Sequence, residues 1–318
     1  MPAVSLTPKG PFSLAASTRF LECFTPASYD HAPDGVLRLA FPTDDGRSVI
    51  GCALRQKESA APGAAGTVHA EYTLHTDGNA RPAAGATAAE AARTQIARIL
   101  SLDIDAGDFS GLAAADPVVA GLQAEFPGLR PVLFYSPYEA AAWTIIGNRI
   151  RKTQAAHIKA RLAQEHGQAV DVAGRQLHAF PVPAQLRRIN NIPGLTDVKT
   201  ERLHALADAA LDGRLDAAEL RDQPAEFALT DLRELSGIGP FSAELILIRG
   251  AGHPDVFPRS EPRVHQAMAA AYGLDATAAD DTSRLAAIAD AWRPYRSWVA
   301  LLLRAHAQDR PAAPRGIG

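Results

Sequence analysis

Leu235-Ser-Gly-Ile-Gly-Pro-Phe-Ser-Ala-Glu-Leu-Ile-Leu-Ile-Arg-Gly250 and, after a short loop, Asp255-Val-Phe-Pro-Arg-Ser-Glu-Pro-Arg-Val264 decide the reading of this chain. The first stretch reads as the end of a helix, a tight glycine turn and a second helix. The second reads as a loop that delivers one carboxylate, Glu261, to the start of another helix. Gly237 and Gly239 can adopt positive φ and let an anion approach the backbone closely. The amides that open the following helix, around Ser242, lack helical partners and, with the helix dipole, attract negative charge. Ile238 is the apolar plug between the glycines. A bare Gly-x-Gly would be an ordinary interhelical turn. Here Leu232, Leu235, Ala243 and Ile246 complete the apolar spacing of a helix-hairpin-helix.

The bulk numbers are those of a soluble globular protein: 318 residues, 47% hydrophobic, 21% charged and a net charge of −3. That length suits one large domain or two ordinary ones. No apolar run approaches the ~20 residues that span a bilayer, and no signal peptide is evident. Cys23 and Cys52 are too few for a disulfide framework or a four-cysteine metal site. No side-chain metal site is expected, and a reducing cytoplasm is the simplest location. The slight negative charge does not advertise nucleic acid, but phosphate affinity can be local.

Outward from the central stretch, the N-terminal third reads as a small α+β unit. The first ten residues carry no pattern, and from Phe12 to His75 the signals favour strands. Val36–Phe41 and Ser48–Gln56 flank the turn Asp44-Asp45-Gly46 as a hairpin, and Thr67–His75 alternates. Residues 59–66 read as a loop. Thr87-Ala-Ala-Glu90 is a capping box that opens a helix to Leu100. Asp116-Pro117 is a helix start, and nearly everything beyond it reads as short helices. Ser136-Pro-Tyr-Glu139 caps an apolar helix that ends at Gly147-Asn148. Helices follow over 152–166, 184–190 and 196–211, and Thr230–Leu235 leads into the hairpin. Thr277–Asp280 caps a helix running toward Trp292, and 295–306 is the last helix. The expected fold is therefore α+β: a mixed unit over 1–115, a mainly helical domain over 116–308 and a loose tail over 309–318.

Leu235–Ala243, the Asp255-Val-Phe-Pro258 loop and the acid at 261 resemble the helix-hairpin-helix DNA glycosylase superfamily. The 3-methyladenine DNA glycosylase II (AlkA-like) branch is the nearest. Pro137–Asn148, Phe180-Pro-Val-Pro183 and Trp292-Arg-Pro-Tyr-Arg-Ser-Trp298 resemble further elements of that branch. The resemblance covers roughly residues 127–308 and is architectural before that. It implies a protein that flips a damaged base out of double-stranded DNA and hydrolyses its N-glycosidic bond, which begins base-excision repair. Alkylated purines of the 3-methyladenine and 7-methylguanine type are the implied substrates. Such bases are already cationic and leave readily, so a pocket and one negative charge could suffice. The resemblance also implies a monomer at the nucleoid, with no membrane. It implies no iron–sulfur cluster, and at most a monovalent cation joining the phosphate at the hairpin.

Residue by residue, the resemblance places Glu261 where the family carries an essential aspartate. Ser260 reads as the N-cap, with Glu261 in the first turn, where the helix dipole favours the ionised form. Phe241 stands where strand-nicking relatives carry a Schiff-base lysine, which implies base removal without lyase chemistry. Phe241, Leu245, Pro262 and Trp143 are the implied base pocket, although Leu245, Pro262 and Arg304 replace rings of the bacterial prototype. Asn148 and Arg149 occupy the turn that fills the gap left by the flipped base. Arg151 and Arg263 are candidates for backbone contact, as are Lys152, His157, Lys159, Arg161, Arg249 and Arg259. Trp292 and Trp298 read as core, and His253 and His265 as non-catalytic. The competing readings are a damage-binding protein that has lost the chemistry, a glycosylase for another lesion, and a hairpin module of a larger complex.

Overall fold

A computed structural model gives the fold and describes residues 1–27, 29, 33–57, 66–76 and 88–309. Strand β1 (Ala3–Leu6) arises from residues that read as patternless. It is an edge strand of an antiparallel sheet ordered β1-β4-β3-β2, with β2 at Leu37–Pro42, β3 at Ser48–Lys57 and β4 at Thr67–Thr76. The expected hairpin is present: Leu37 faces Leu54 and Pro42 faces Val49. Its turn closes through Thr43 N–H to Ser48 O at 2.8 Å, with Gly46 at φ 66°.

The expectation of strand from Phe12 onward is corrected. Leu14–Cys23 is helix α1, because the Ser13 hydroxyl accepts from Ala16 N–H (3.2 Å) and Leu14, Ala16, Ser17 and Leu21 align on one buried face. Helix α2 (Ala88–Ile99) follows. The capping residue proposed for it, Thr87, lies outside the described residues, as do most of the 59–66 loop and the tail beyond 309.

All six β2 residues are buried, because both faces of the sheet are covered there. Leu37, Leu39, Phe41, Ile50, Cys52 and Leu54 share a core with α1 and α2. Val36, Ala40, Val49 and Ala53 on the other face are covered by Val170, Val172, Ala179 and Val182. Val170 and Val172 come from a second hairpin, β5 (Ala169–Val172) and β6 (Arg175–His178), inside the region expected to be helical, and Ala179 and Val182 from the segment that follows it. Ala173 and Gly174 both take positive φ at its tip, as a tight hairpin turn requires.

Short helix α3 (Leu112–Ala115) precedes α4 (Pro117–Glu125), which Asp116 caps at Val118 N–H (2.9 Å) and Val119 N–H (3.2 Å). Helix α5 (Pro137–Gly147) has nine buried residues and forms the axis of the main core, with α6 (Lys152–His166) beside it. The expected helix at 184–190 is one turn, α7 (Pro183–Leu186). Then come α8 (Asp197–Leu211), α9 (Ala217–Asp222), α10 (Ala225–Arg233) and α11 (Pro240–Leu245). Helix α11 continues as a π-turn over Ile246–Ala251. Helix α12 is Pro262–Ala271. The expected single helix from 277 to 292 divides: Asp275 caps a 3-10 turn at Ala276–Asp280, and Asp281 restarts the chain as α13 (Thr282–Ala289). Helix α14 (Arg296–Asp309) is last.

Apolar packing joins the N-terminal unit to the helical part. A single apolar cluster joins Ala16, Ala106 and Phe109 to Leu122, Trp292 and Trp298. Arg130, 1% exposed, donates to Pro11 O (2.9 Å), Ser101 O (2.9 Å) and Ile104 O (3.1 Å), and also bonds the Lys9 and Gly10 carbonyls. Burial lowers its pKa to about 10, so it stays charged at neutral pH.

Gly51 of β3 is where the second hairpin rests. A Cβ there would stand 2.4 Å from Val170 Cγ1 and 3.0 Å from Val172 Cγ2. Gly51→Val is expected to cost about 1–3 kcal/mol by overpacking, read as a lower urea midpoint. An unchanged midpoint would contradict the packing of the hairpin on the sheet.

Candidate functional site

Helix α10 ends at Arg233, and Ile238 N–H bonds Leu235 O at 3.0 Å to close the turn. Gly237 takes φ 86°, and Gly239 starts α11 with Pro240 in its first turn. Ile238 is buried in the main core, so the glycines are held at the surface by an apolar peg. No atom lies within 4 Å of a Cβ built on Gly239, so this side of the hairpin is open. The outward amides at Phe241 and Ser242 belong to the turn that α-helical bonding leaves unpaired.

A cavity of about 500 Å³ opens beside the hairpin, within the range of ligand pockets. The hairpin contributes Gly237, Gly239, Phe241, Ser242, Glu244 and Leu245; α5 contributes Trp143, Thr144 and Asn148. Glu261, Val264, Leu301 and Arg304 form the side toward α12 and α14. Helix α1 supplies Phe20 and Cys23, and Phe24 follows at its end, a wall from the N-terminal unit that no sequence signal announced. Phe241 is 44% exposed on the cavity, so it is not core packing. Trp143 is both buried and on the lining. Pro262 is exposed and is not among the lining residues, which corrects its placement in the pocket.

Ser260 was expected as the N-cap of α12, but Glu261 holds that position, with Pro262 in the first turn. Glu261 accepts from Arg263 N–H through Oε1 (3.3 Å), and Oε2 has no hydrogen bond among the described residues. Ser260 is taken by another partner. Its N–H donates to Glu244 Oε2 (2.8 Å) and its hydroxyl to Glu244 Oε1 (3.2 Å). Glu244 is 8% exposed, and burial raises its pKa against the lowering effect of these bonds. The sequence did not single it out. Its signal was an acid on the buried side of an otherwise apolar helix. At the loop's other end Asp255 binds Arg296 (2.7 Å) and Arg293 (3.1 Å), which leaves it a structural role.

The basic candidates separate. Asn148 and Arg149 are exposed in the turn after α5, with Arg149 at φ 57°. Lys199 closes the end of α5 through the Ile146 (2.8 Å) and Asn148 (2.7 Å) carbonyls. Arg151, His157, Arg259 and Arg263 are exposed, and Lys152 lines the cavity. Lys159 pairs with the buried Glu139 at 3.2 Å, and Arg161 pairs with Glu165 at 3.3 Å. Arg249, expected at a DNA backbone, is instead a cavity residue stacked over Phe24 (4.6 Å) and Phe20 (5.2 Å). Trp292 and Trp298 are buried in the core. His265 bonds Pro258 O (2.8 Å) and His253 accepts from Asp255 N–H (3.1 Å); neither lines the cavity. No cluster of three or more His, Cys, Asp or Glu suited to a metal occurs among the described residues, and no helix among them is long and apolar enough to cross a membrane.

The Glu244–Ser260 bonds give a stability test. Glu244→Ala strands a part-buried N–H and should cost about 1–3 kcal/mol in urea unfolding. Glu244→Gln keeps an acceptor and should cost less; equal losses for both would contradict the assigned role.

Comparison with protein-family models gives no match. The chain is 30% identical over 204 residues to the probable bifunctional transcriptional activator/DNA repair enzyme AlkA of Mycobacterium tuberculosis (strain CDC 1551 / Oshkosh), covering 63% of this chain and 40% of that protein. It is 27% identical over 162 residues to the DNA-3-methyladenine glycosylase of Bacillus subtilis (strain 168), covering 49% of this chain and 53% of that one. It thus spans about half the length of the curated relatives it matches. A solved structure of a 3-methyladenine DNA-glycosylase from Archaeoglobus fulgidus shares the fold, with a TM-score of 0.74 and 21% identity over 98% of this chain and 100% of that one. The chain is thus similar in sequence to an AlkA DNA repair enzyme and to a DNA-3-methyladenine glycosylase, and it shares the fold of a solved 3-methyladenine DNA-glycosylase.

Proposed function

We propose that this protein is a monofunctional DNA N-glycosylase that excises alkylated bases from double-stranded DNA and so begins base-excision repair. The observation that carries the reading is Glu261. Its carboxylate stands on a base-sized cavity beside the open hairpin, with one oxygen uncommitted among the described residues.

The hairpin amides hold a phosphate of the damaged strand. Asn148 and Arg149 enter the duplex and fill the space vacated by the flipped nucleotide. The base enters the cavity between Trp143, Leu245 and Phe241, and its sugar lies toward Glu261. As the C1′–N bond breaks, its electron pair goes to the base and positive charge grows on the sugar. The Glu261 carboxylate stabilises that charge and orients the water whose oxygen adds to C1′. The water's proton passes to Glu261 and on to solvent. Phe241 cannot form a Schiff base, so the abasic strand is left uncut. The step needs no cofactor, and one chain acts alone.

The reading is tested with duplexes that carry a single alkylated purine, followed by assays for free base and for strand scission. Base release without scission is expected. Glu261→Gln should lower release by roughly a hundredfold or more while duplex binding persists. Tight binding with no release from any lesion would leave a damage-binding protein instead, and release unchanged in Glu261→Gln would remove this carboxylate from the chemistry.

A further inference from the structure

Three basic side chains line the cavity, and none has a carboxylate within ion-pair distance among the described residues. Arg249 is partly buried on its lining. Its guanidinium lies on Phe20 and Phe24, donates to Val132 O at 2.7 Å, and leaves a buried Nε with no partner. Burial and the nearby charge of Arg304 lower its pKa to about 10, so it remains a cation at neutral pH. Arg304 is half-buried on the opposite side; with the Gln308 amide turned to accept, its terminal nitrogens lie 3.1 Å from that oxygen. Lys152 lies near Arg263, Arg304 and Glu261; burial and then the two arginines lower its pKa, and the Glu261 charge opposes them, as it does at Arg304.

Among the described residues, two acids share this lining. Glu244 is committed to the Ser260 hydroxyl and N–H. Glu261 is at the edge where the sugar is placed. The base therefore enters a site whose unbalanced charge is positive.

We infer that this cavity selects alkylated bases that carry no charge, such as ethenoadenine, over the cationic N7- and N3-alkylpurines. The inference rests on the glycosylase reading above and narrows its substrate class. A cationic base must be brought beside Arg249 and Arg304 in a poorly screened site, where repulsion is strong. It departs neutral, so the guanidinium groups gain nothing as the bond breaks. A neutral base departs with the electron pair of the C1′–N bond and builds negative charge on its ring. Fixed guanidinium groups stabilise that charge until the ring nitrogen takes a proton from solvent. Ring faces on Trp143 and Phe241 accept either class, so the discrimination lies in charge and not in shape.

The test is single-turnover release from duplexes with one ethenoadenine or one 7-methylguanine. Each rate is divided by spontaneous release from the same duplex, because cationic bases leave faster unaided. The enhancement should be at least roughly tenfold greater for ethenoadenine. Arg304→Leu should lower the ethenoadenine enhancement and raise that for 7-methylguanine. Lys152→Met, at an exposed position on the lining, should shift the two in the same opposite directions should Arg304→Leu fail to fold by thermal melting. An equal or greater wild-type enhancement for 7-methylguanine overturns the inference while leaving the glycosylase reading intact. A fall in both enhancements together in a folded variant also overturns it. No release of either base removes the glycosylase reading itself.

Discussion

The placement of Glu261 depends on another glutamate. Glu244 sits in the hairpin helix and accepts both the N–H and the hydroxyl of Ser260, one residue before Glu261. The hairpin and the carboxylate loop are thereby one unit: movement of α11 moves Glu261. The far end of the loop is pinned by Asp255 on Arg296, and Ser297 Oγ bonds both Val256 N–H and Val256 O at 3.0 Å. A loop fixed at both ends presents its carboxylate without ordering it anew for each encounter, which is the preorganisation electrostatic catalysis demands. Pro262 adds to this by fixing φ at the first helical position.

The N-terminal unit is more than an appendage to this arrangement. Arg130 gathers the carbonyls of residues 9–11, 101 and 104, and the second hairpin of the helical part closes the back of the sheet. Those contacts bring α1 to the cavity, where Phe20 and Phe24 form the bed of Arg249. A guanidinium on two aromatic faces can be buried without a carboxylate, because the ring quadrupoles replace part of its lost hydration. The positive character of the cavity thus originates in packing between sequence-distant elements.

The contrast between what the sequence revealed and what it hid follows from the range of the interactions. Asp116-Pro117, Ser136-Pro137 and the Gly237–Gly239 turn were legible because caps and glycine turns are local chemistry. The hairpin Val36–Gln56 was legible because its turn and alternation are local too. Helix α1 was not: aromatic and β-branched residues such as Thr18 and Phe20 weigh toward strand until the Ser13 cap and the packed face are known. Ala169–Val172 does alternate, but a four-residue strand among helices gives a weak signal. At the site, the resemblance pointed to Glu261, Phe241 and Leu245, and all three line the cavity. The burial of Glu244, and the cavity placement of Arg249 and Lys152, were not legible, because both are decided by distant neighbours.

The central claim is that Glu261 faces the positive charge that develops on a flipped sugar. Equilibrium binding to two abasic-site analogues tests it most directly. One duplex carries an uncharged tetrahydrofuran ring and the other a pyrrolidine ring, protonated where the sugar would become cationic. The wild-type protein should bind the pyrrolidine duplex at least roughly tenfold more tightly, as expected for a transition-state mimic, and Glu261→Gln should lose that preference. Equal affinity of the wild-type protein for the two duplexes would contradict the account.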